Sequence, residues 1–236
     1  MHEIRMFGGL EVRTRGVRLA GHDFGGVESR HILALLALHG ALGETDLVDL
    51  LWAGRPPGDH RTVLKRHVSV LRARLDPVGP AGRPIVVTTG GAARVTGYAL
   101  DRDRVRTDVA RFDELLAAAT GRTPTRALPP LTAAAHLAGC PLLDGELDRG
   151  WVTEARKHYR NRLIESLLGT ADRALSTGEP EAALDLAGRV VALEPSAERG
   201  WFVTMAAHRV LGERVRAHGT RRRGATALLR SAVAEG

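Results

Sequence analysis

The spacing of hydrophobic residues changes near residue 28 and predicts strands before that point and helices after it. Ile4 and Met6, and then Leu10 and Val12, alternate with polar neighbours, which is the period of a half-exposed strand. From Glu28 onward, apolar residues recur every three or four positions, which is the period of an amphipathic helix. The pattern therefore predicts short strands in the first twenty residues, followed by helices.

Three helices and a hairpin are predicted in the next part of the chain. The first helix is rich in leucine and ends at Gly40, and the second is predicted to begin with Thr45 as its N-cap. The third follows Asp59, again as an N-cap, and ends near Asp76. Two β-rich runs then flank a Gly-Gly-Ala-Ala turn, which is typical of a β-hairpin.

A helical pattern continues from Asp101 almost to the end of the chain. Gly178 and Gly212 are 34 residues apart, which is the period of a tetratricopeptide helix pair, and the segments around them align. An earlier segment is a candidate third copy, but Pro129 and Pro130 fall where its second helix should begin. The second part of the chain is therefore predicted to be a stack of helix pairs.

The third helix, over residues 60–75, has two different faces. One stripe is apolar and is predicted to face the core: Leu64, Val68, Leu71 and Leu75. A second stripe is polar and basic and consists of Arg61, Lys65, Ser69 and Arg72. Arg66 lies beside this stripe. The sequence has no acidic residue between Arg61 and Leu75, so this stripe favours an anionic partner. An ordinary solvated basic face remains the alternative for the helix taken alone.

The order of elements favours DNA binding over the solvated face. Two helices before the basic helix and a hairpin after it make a winged helix, in which the third helix enters the major groove of DNA. The hairpin then reaches the neighbouring backbone or minor groove, and Arg94, just after its tip, is the predicted contact there. Backbone amides over residues 88–91 are further candidates for phosphate contacts.

Several segments resemble the SARP (antibiotic regulatory protein) type of bacterial transcriptional activator. The similar segments, in chain order, are FGGLEVRTRGVRL, ILALLALHG, TDLVDLLWAGRPPGDHRTVLKRHVSVLRARLDP, VTGYAL, DVARFDELLAAA and GERVRAHGTRRRGATALL. The resemblance implies a mainly α protein with a small β part. It places a winged helix-turn-helix domain of the response-regulator output type over 1–100. A tetratricopeptide-like bacterial transcriptional activation domain then follows over 101–236.

The same resemblance implies a function and a set of DNA-contacting residues. Such proteins bind repeated promoter sites, usually as dimers, and recruit RNA polymerase, here expected at a secondary-metabolite or similar gene cluster. The residues it places on the DNA side of the third helix are Arg61, Lys65, Arg66, Ser69 and Arg72.

This chain departs from the family pattern at several positions. Arg66 stands where the family often has an apolar residue, and Val70 where it often has a basic one, so the base-reading pattern is expected to differ. In the second half, Pro129-Pro130 and the Gly219 region are expected to interrupt the helices.

The composition supports an anionic partner and argues against a disulfide-bonded protein, a metal-binding protein and an enzyme. The net charge is +7, and only Lys65 and Lys157 are lysines. With Cys140 alone, no disulfide within the chain and no cysteine-based zinc site can form. The histidines lack metal-site spacing, and no nucleophile is paired with a base, so neither a cofactor nor an enzyme is expected. The chain has no signal-peptide core and no apolar run of membrane length, and a cytoplasmic protein is expected.

Three alternatives stay open at this point. The first is a DNA-binding activator. The second is a helical-repeat interaction module whose winged helix binds a protein rather than DNA. The third is an enzyme, for which the sequence offers no nucleophile, metal cluster or carboxylate pair. A pocket for a small-molecule effector in the second half is a separate possibility. The aromatic residues of the helical half are interpreted as core: Trp151, Tyr159, Trp201 and Phe202. Residues 221–223 are interpreted as an exposed helix surface, with DNA or an acidic partner as the alternative.

Overall fold

The computed structural model describes residues 1–76, 84–90, 96–146, 149–212 and 214–234. They form two compact units: the first comprises Met1–Arg111 and Cys140–Ala155, and the second comprises Phe112–Gly139 and Arg156–Gly236. The strands are β1 (His2–Arg5), β2 (Glu11–Thr14), β3 (Val17–Ala20), β4 (Ala41–Gly43), β5 (Val86–Thr89), β6 (Gly97–Leu100) and β7 (Val105–Thr107). The helices are α1 (Val27–His39), α2 (Glu44–Trp52), α3 (His60–Leu75), α4 (Asp108–Ala119), α5 (Pro124–Leu137), α6 (Gly150–Ser176), α7 (Pro180–Leu193), α8 (Glu198–Val210) and α9 (Arg214–Ala234). The predicted fold class is confirmed.

The first unit contains two small sheets. The first sheet has the order β3-β2-β1-β7, in which β1 pairs antiparallel with β2 and parallel with β7. Ile4 lies opposite Val12, and both are buried, as the strand alternation predicts. The second sheet has the order β4-β6-β5, so the predicted hairpin of β5 and β6 gains a third strand.

The ends of the first three helices differ in part from the prediction. α1 ends as predicted, with Gly40 at a φ of 77°. The prediction of Thr45 as an N-cap is wrong, because α2 begins two residues earlier than this cap implies, at Glu44, and Gly43 is its N-cap. Asp59 does hold the N-cap position of α3, but its side chain makes no capping hydrogen bond.

The first unit includes chain from beyond the predicted division at residue 100. β7 completes the first sheet, and the buried carboxylate of Asp108 accepts hydrogen bonds from the backbone N–H of Met6 (2.7 Å) and Phe7 (2.8 Å). Burial raises the pKa of Asp108, against the opposing effect of these hydrogen bonds. Segment 140–155 also returns to this unit, where the N–H of Leu143 donates to the carbonyl of Met6 (2.7 Å). The domain limits at 100 and 101 stay a prediction for the functional units.

The second unit consists of antiparallel helix neighbours joined by short turns. α7 packs on α8 and α8 on α9, and Gly178 and Gly212 sit in turns with φ values of 77° and 73°. Both glycines therefore occupy left-handed positions in equivalent turns, as the 34-residue period predicts. Among the described residues, the structure has no helix that is both long and apolar enough to span a membrane.

Two predicted helix interruptions are wrong. α5 begins at Pro124, earlier than expected, and continues through Pro129 and Pro130. α9 continues through Gly219 and Gly224. Gly224 lies against the Trp201 ring of α8, where an added Cβ would be only 3.0 Å from Cγ. A glycine at this position allows the two helices to approach closely.

The aromatic residues of the helical half do not all lie in the core. Tyr159 is buried and packs edge-on against Phe112, with ring centroids 5.6 Å apart. Phe202 is 58% exposed, so its assignment to the core is wrong. Its neighbours in the chain, Gly200 and Val203, are buried. Because successive side chains of a helix are about 100° apart, Phe202 points away from the side of α8 on which these two residues lie.

Candidate nucleic-acid interface

The apolar stripe of α3 is the face that holds this helix in the first unit. Each of its predicted residues is at most 1% exposed: Leu64, Val68, Leu71 and Leu75. These four positions recur every three or four residues, so they lie on one side of the helix. Because the stripe is completely covered by the core, the rotation of α3 about its own axis is set, and the basic positions are held on the outside.

The exposed part of α3, from roughly a quarter of a turn beyond the apolar stripe, carries four of the predicted site residues. Arg61, Lys65, Arg66 and Ser69 are all exposed. Within the part of the chain that the structure describes, Lys65 and Arg66 make no ion pair. Two cationic side chains, one turn or less apart on an exposed helix, therefore face outward without a counter-charge.

Arg61 differs from these two residues, because it has an acidic neighbour. Its Nε lies 3.5 Å from a carboxylate oxygen of Glu44 at the start of α2. The expectation that the basic stripe has no acid to neutralise it is therefore wrong at this end of the helix. The pair is weak, since the Arg61 side chain is 77% exposed and solvent screens the attraction.

Arg72 has a structural role that the sequence did not reveal. Its Nε donates a hydrogen bond of 2.8 Å to the carbonyl of Val86, and one terminal nitrogen donates a bond of 2.8 Å to the hydroxyl of Thr88. Both acceptors belong to β5, so the guanidinium ties α3 to the hairpin. Replacement of Arg72 would break both hydrogen bonds, so this side chain contributes to the fold as well as to the basic stripe.

The hairpin is held in place by β4 as well as by Arg72. Leu42 lies opposite Tyr98 and Gly43 opposite Gly97, so the short strand between α1 and α2 pairs with β6. At Gly97 an added Cβ would be 2.1 Å from the carbonyl oxygen of Leu42, so only glycine fits. Arg94 and the tip of the hairpin lie outside the described residues.

Asp76 anchors the end of α3 that is nearer to the hairpin. Its side chain is 4% exposed and lies 3.1 Å from the Arg104 guanidinium and 3.4 Å from that of Arg15. It also accepts a hydrogen bond of 3.1 Å from the backbone N–H of Ile85, immediately before β5. A buried carboxylate with these partners connects the end of α3, the beginning of the hairpin and the first sheet.

Val70, one of the departures from the family pattern, is a packing residue. An added Cβ on Gly25 would be 2.4 Å from a methyl carbon of Val70, so this side chain covers the backbone just before α1. Gly25 has a φ of 84°, which also favours glycine. His67 makes a similar connection, with its Nδ1 3.1 Å from the hydroxyl of the buried Ser29.

A buried ionic group connects α1 to segment 140–155. Glu146 Oε2 lies 3.1 Å from the Arg30 guanidinium and 3.4 Å from Nε2 of His31. These two neighbours, His31 foremost, lower the pKa of Glu146 against the opposing effect of burial. The Trp151 ring packs edge-on against His31 with centroids 5.5 Å apart. Arg149 donates a hydrogen bond to the carbonyl of Leu51 at the end of α2.

The comparison with protein-family models identifies the second part of the chain. The bacterial transcriptional activator domain matches residues 107–231, which is more than half of the chain. The chain belongs to this family. The comparison with curated proteins gives no match. The match to the activator domain confirms the resemblance to SARP-type transcriptional activators.

A solved structure shares the architecture of this family member. It is Mycobacterium tuberculosis EmbR in complex with a low affinity phosphopeptide, with a TM-score of 0.72 and 25% sequence identity. The similarity covers 96% of this chain and 59% of the EmbR chain, so this chain spans only part of the length of that protein. The family match points to a transcriptional regulator. Within the described ranges, no group of three or more potential ligands could hold a metal ion.

Sequence reasoning missed the residues that position α3 in this activator. Glu44, Thr88 and Asp76 contact Arg61, Arg72 and the hairpin from outside the helix. The signals were weak, because each of them is a single polar residue near the end of a predicted element. Their partners are 9 to 28 residues away along the chain, except that Arg15 is 61 residues from Asp76.

Proposed function

We propose that the first unit of this activator binds duplex DNA in a sequence-specific manner, with α3 in the major groove and the hairpin beside it. The observation that carries the proposal is the exposed cationic pair of Lys65 and Arg66, on a helix whose opposite side is buried throughout. A protein that places such a helix between a two-helix scaffold and a hairpin has the arrangement by which winged helices read DNA.

Within this proposal the site residues have different roles. Lys65, Arg66 and Ser69 are exposed and are the candidates for base and phosphate contacts. Arg61 binds a phosphate after it leaves Glu44. Arg72 mainly holds the hairpin at the correct position, and Arg94 remains the proposed contact of the hairpin tip. We also propose that the chain, as a homodimer, recruits RNA polymerase to promoters of a secondary-metabolite or similar gene cluster.

The test is binding of the purified full chain to duplex DNA from the region upstream of its own gene. We expect Lys65→Ala and Arg66→Ala each to weaken binding by about tenfold at 0.1 M salt, with a lower salt slope, because each removes a cation from the interface. Arg106→Ala is the matched control, since it removes one exposed arginine from β7 and should bind as the wild type does.

Absence of any DNA binding at low salt would refute the proposal. In that case, retention of a protein partner that depends on Lys65 and Arg66 would support the interaction module instead. Genome-wide mapping of bound DNA then identifies the promoters, and the spacing of repeated sites reports the number of copies that bind. In vitro transcription from a mapped promoter tests recruitment of RNA polymerase, for which we expect more transcript when the protein is added.

A further inference from the structure

The last helix of the second unit carries a concentration of positive charge that the proposed function of α3 does not use. α9 contains six arginines and no acidic residue: Arg214, Arg216, Arg221, Arg222, Arg223 and Arg230. A solvated helix of this length usually mixes both signs, because pairs of opposite charge three or four residues apart stabilise it. An entirely cationic helix repels itself and therefore favours an anionic partner.

Three of these arginines lie almost in line along one side of α9. Arg216, Arg223 and Arg230 are spaced seven residues apart, which is close to two full helical turns. With a rise of 1.5 Å per residue, the line is about 21 Å long. All three residues are exposed, while the buried side of α9 is formed by Ala217, Thr220 and Gly224. The line is thus on the surface, away from the buried side of α9.

Small residues leave the space between the later arginines open. A shallow groove along α9 is lined by Gly219, Arg222, Arg223, Thr226, Ala227 and Arg230. Within the described part of the chain, Arg222, Arg223 and Arg230 make no ion pair. We name these three residues the α9 arginine cluster. Their guanidinium groups can therefore bind an anion without first releasing an acidic neighbour.

We propose that the α9 arginine cluster binds the phosphate backbone of duplex DNA, as a second contact surface independent of base sequence. This inference rests on the proposed function, since the duplex is already the proposed partner of α3. Arginine forks bind phosphate oxygens through two parallel hydrogen bonds. The cluster spans about 12 Å of helix, which matches three to four base pairs of duplex at about 3.4 Å each, so several phosphates lie within its reach.

The observations favour a nucleic-acid backbone over an acidic protein. Protein interfaces depend on a few large side chains that are buried at their centre. Among the described residues that line the groove on α9 there is no such side chain, because glycine, threonine and alanine stand between the arginines. Binding by such a surface is almost purely electrostatic, which is how proteins contact DNA phosphates without reading sequence.

The test compares two triple variants of the full chain with equal net charge. One replaces the cluster, Arg222→Gln, Arg223→Gln and Arg230→Gln, and the other replaces three exposed arginines elsewhere in the second unit, Arg122→Gln, Arg126→Gln and Arg209→Gln. Binding to labelled duplexes of promoter sequence and of scrambled sequence is followed by fluorescence anisotropy over a range of salt concentrations. Circular dichroism verifies that both variants retain their helix content.

We expect the cluster variant to bind both duplexes at least about tenfold more weakly than the wild type at 0.1 M salt. Its salt slope should fall by about 1 to 3, because each phosphate contact contributes about 0.9 to that slope, while the control variant stays near the wild type. The preference for promoter over scrambled sequence should be unchanged, because α3 supplies it.

Equal affinities and equal salt slopes in the two variants would overturn this inference and leave the proposed function of α3 intact. Loss of promoter preference only on replacement of Lys65 and Arg66 would support both assignments. A third probe, a labelled poly-glutamate peptide, separates the kinds of partner. If the cluster variant no longer binds this peptide but keeps its affinity for DNA, the cluster is a surface for an acidic protein and the inference is wrong.

Discussion

Replacement of Arg72 by alanine should loosen the hairpin and reduce the stability of the first unit. The substitution removes two hydrogen bonds of 2.8 Å, to the carbonyl of Val86 and the hydroxyl of Thr88. A hydrogen bond from a charged donor contributes about 1.5–3 kcal/mol when it is shielded from water and less when it is exposed. One of these bonds is partly buried and the other is exposed, so we expect a loss of about 2–3 kcal/mol in the free energy of unfolding.

Urea denaturation of the full chain measures this loss. With a dependence of about 2 kcal/mol per molar urea, the midpoint of the first unit should fall by about 1 M. Hydrogen exchange should show faster exchange for the amides of β5 and β6, which locates the effect in the hairpin. Arg72→Lys should recover only part of the stability, because an ammonium group cannot make both bonds in the same geometry.

Lys65→Ala is the matched control for this prediction. Lys65 lies on the same helix, is exposed and has no ion pair among the described residues, so its replacement should change stability by less than about 0.5 kcal/mol. If Arg72→Ala and Lys65→Ala unfold at the same urea concentration, Arg72 does not hold the hairpin. Its role would then be restricted to the contact with DNA that the sequence alone suggests.

Two further predictions concern the α8–α9 contact and the buried ionic group. Gly224→Val places side-chain atoms against the Trp201 ring and should destabilise the second unit by about 1–3 kcal/mol in urea denaturation. Gly219→Ala, where an added Cβ meets nothing within 4 Å, should instead stabilise the helix by about 0.5–1 kcal/mol. Glu146→Gln should destabilise the first unit at neutral pH, because His31 and Arg30 lower the pKa of the Glu146 carboxyl in the folded chain. That contribution is present above the unfolded pKa and disappears as the pH falls through the folded pKa, so a difference between variant and wild type that persists in acid would contradict it.

The sequence was sufficient for much of the winged helix, because its elements follow local rules. The apolar stripe of α3 repeats with helical spacing, and all four of its residues are buried as predicted. The hairpin was visible from two β-rich runs around a glycine-rich turn, and β5 and β6 occupy those runs. β4 was not predicted, since a strand of three residues is too short to show a period and forms only where β6 is available to pair with it.

The sequence predicted which residues belong to the candidate site, but not which of them are exposed contacts and which already bind other parts of the chain. The exposed positions of Lys65 and Arg66 follow from the helical period, which the chain carries within a few turns. The roles of Arg61 and Arg72 depend on Glu44 and Thr88, which are far away in sequence and near in space. Periodicity does not report such pairs, because it describes one element and not the contact between two.

The helical half shows the same limit in another form. Proline and glycine predicted interruptions in α5 and α9 from local propensity, whereas both helices are continuous in the structure. Segment 140–155 likewise joins the first unit through hydrogen bonds to residues near the start of the chain. What the sequence alone determined was the period of each element and the buried side of α3, because both depend on residues close together in the chain. It also determined the family, through segments in a fixed order along the whole chain. Only the tertiary structure decided which basic side chains of α3 already have a partner within the chain. Arg61 and Arg72 have one, because residues from other elements lie beside them.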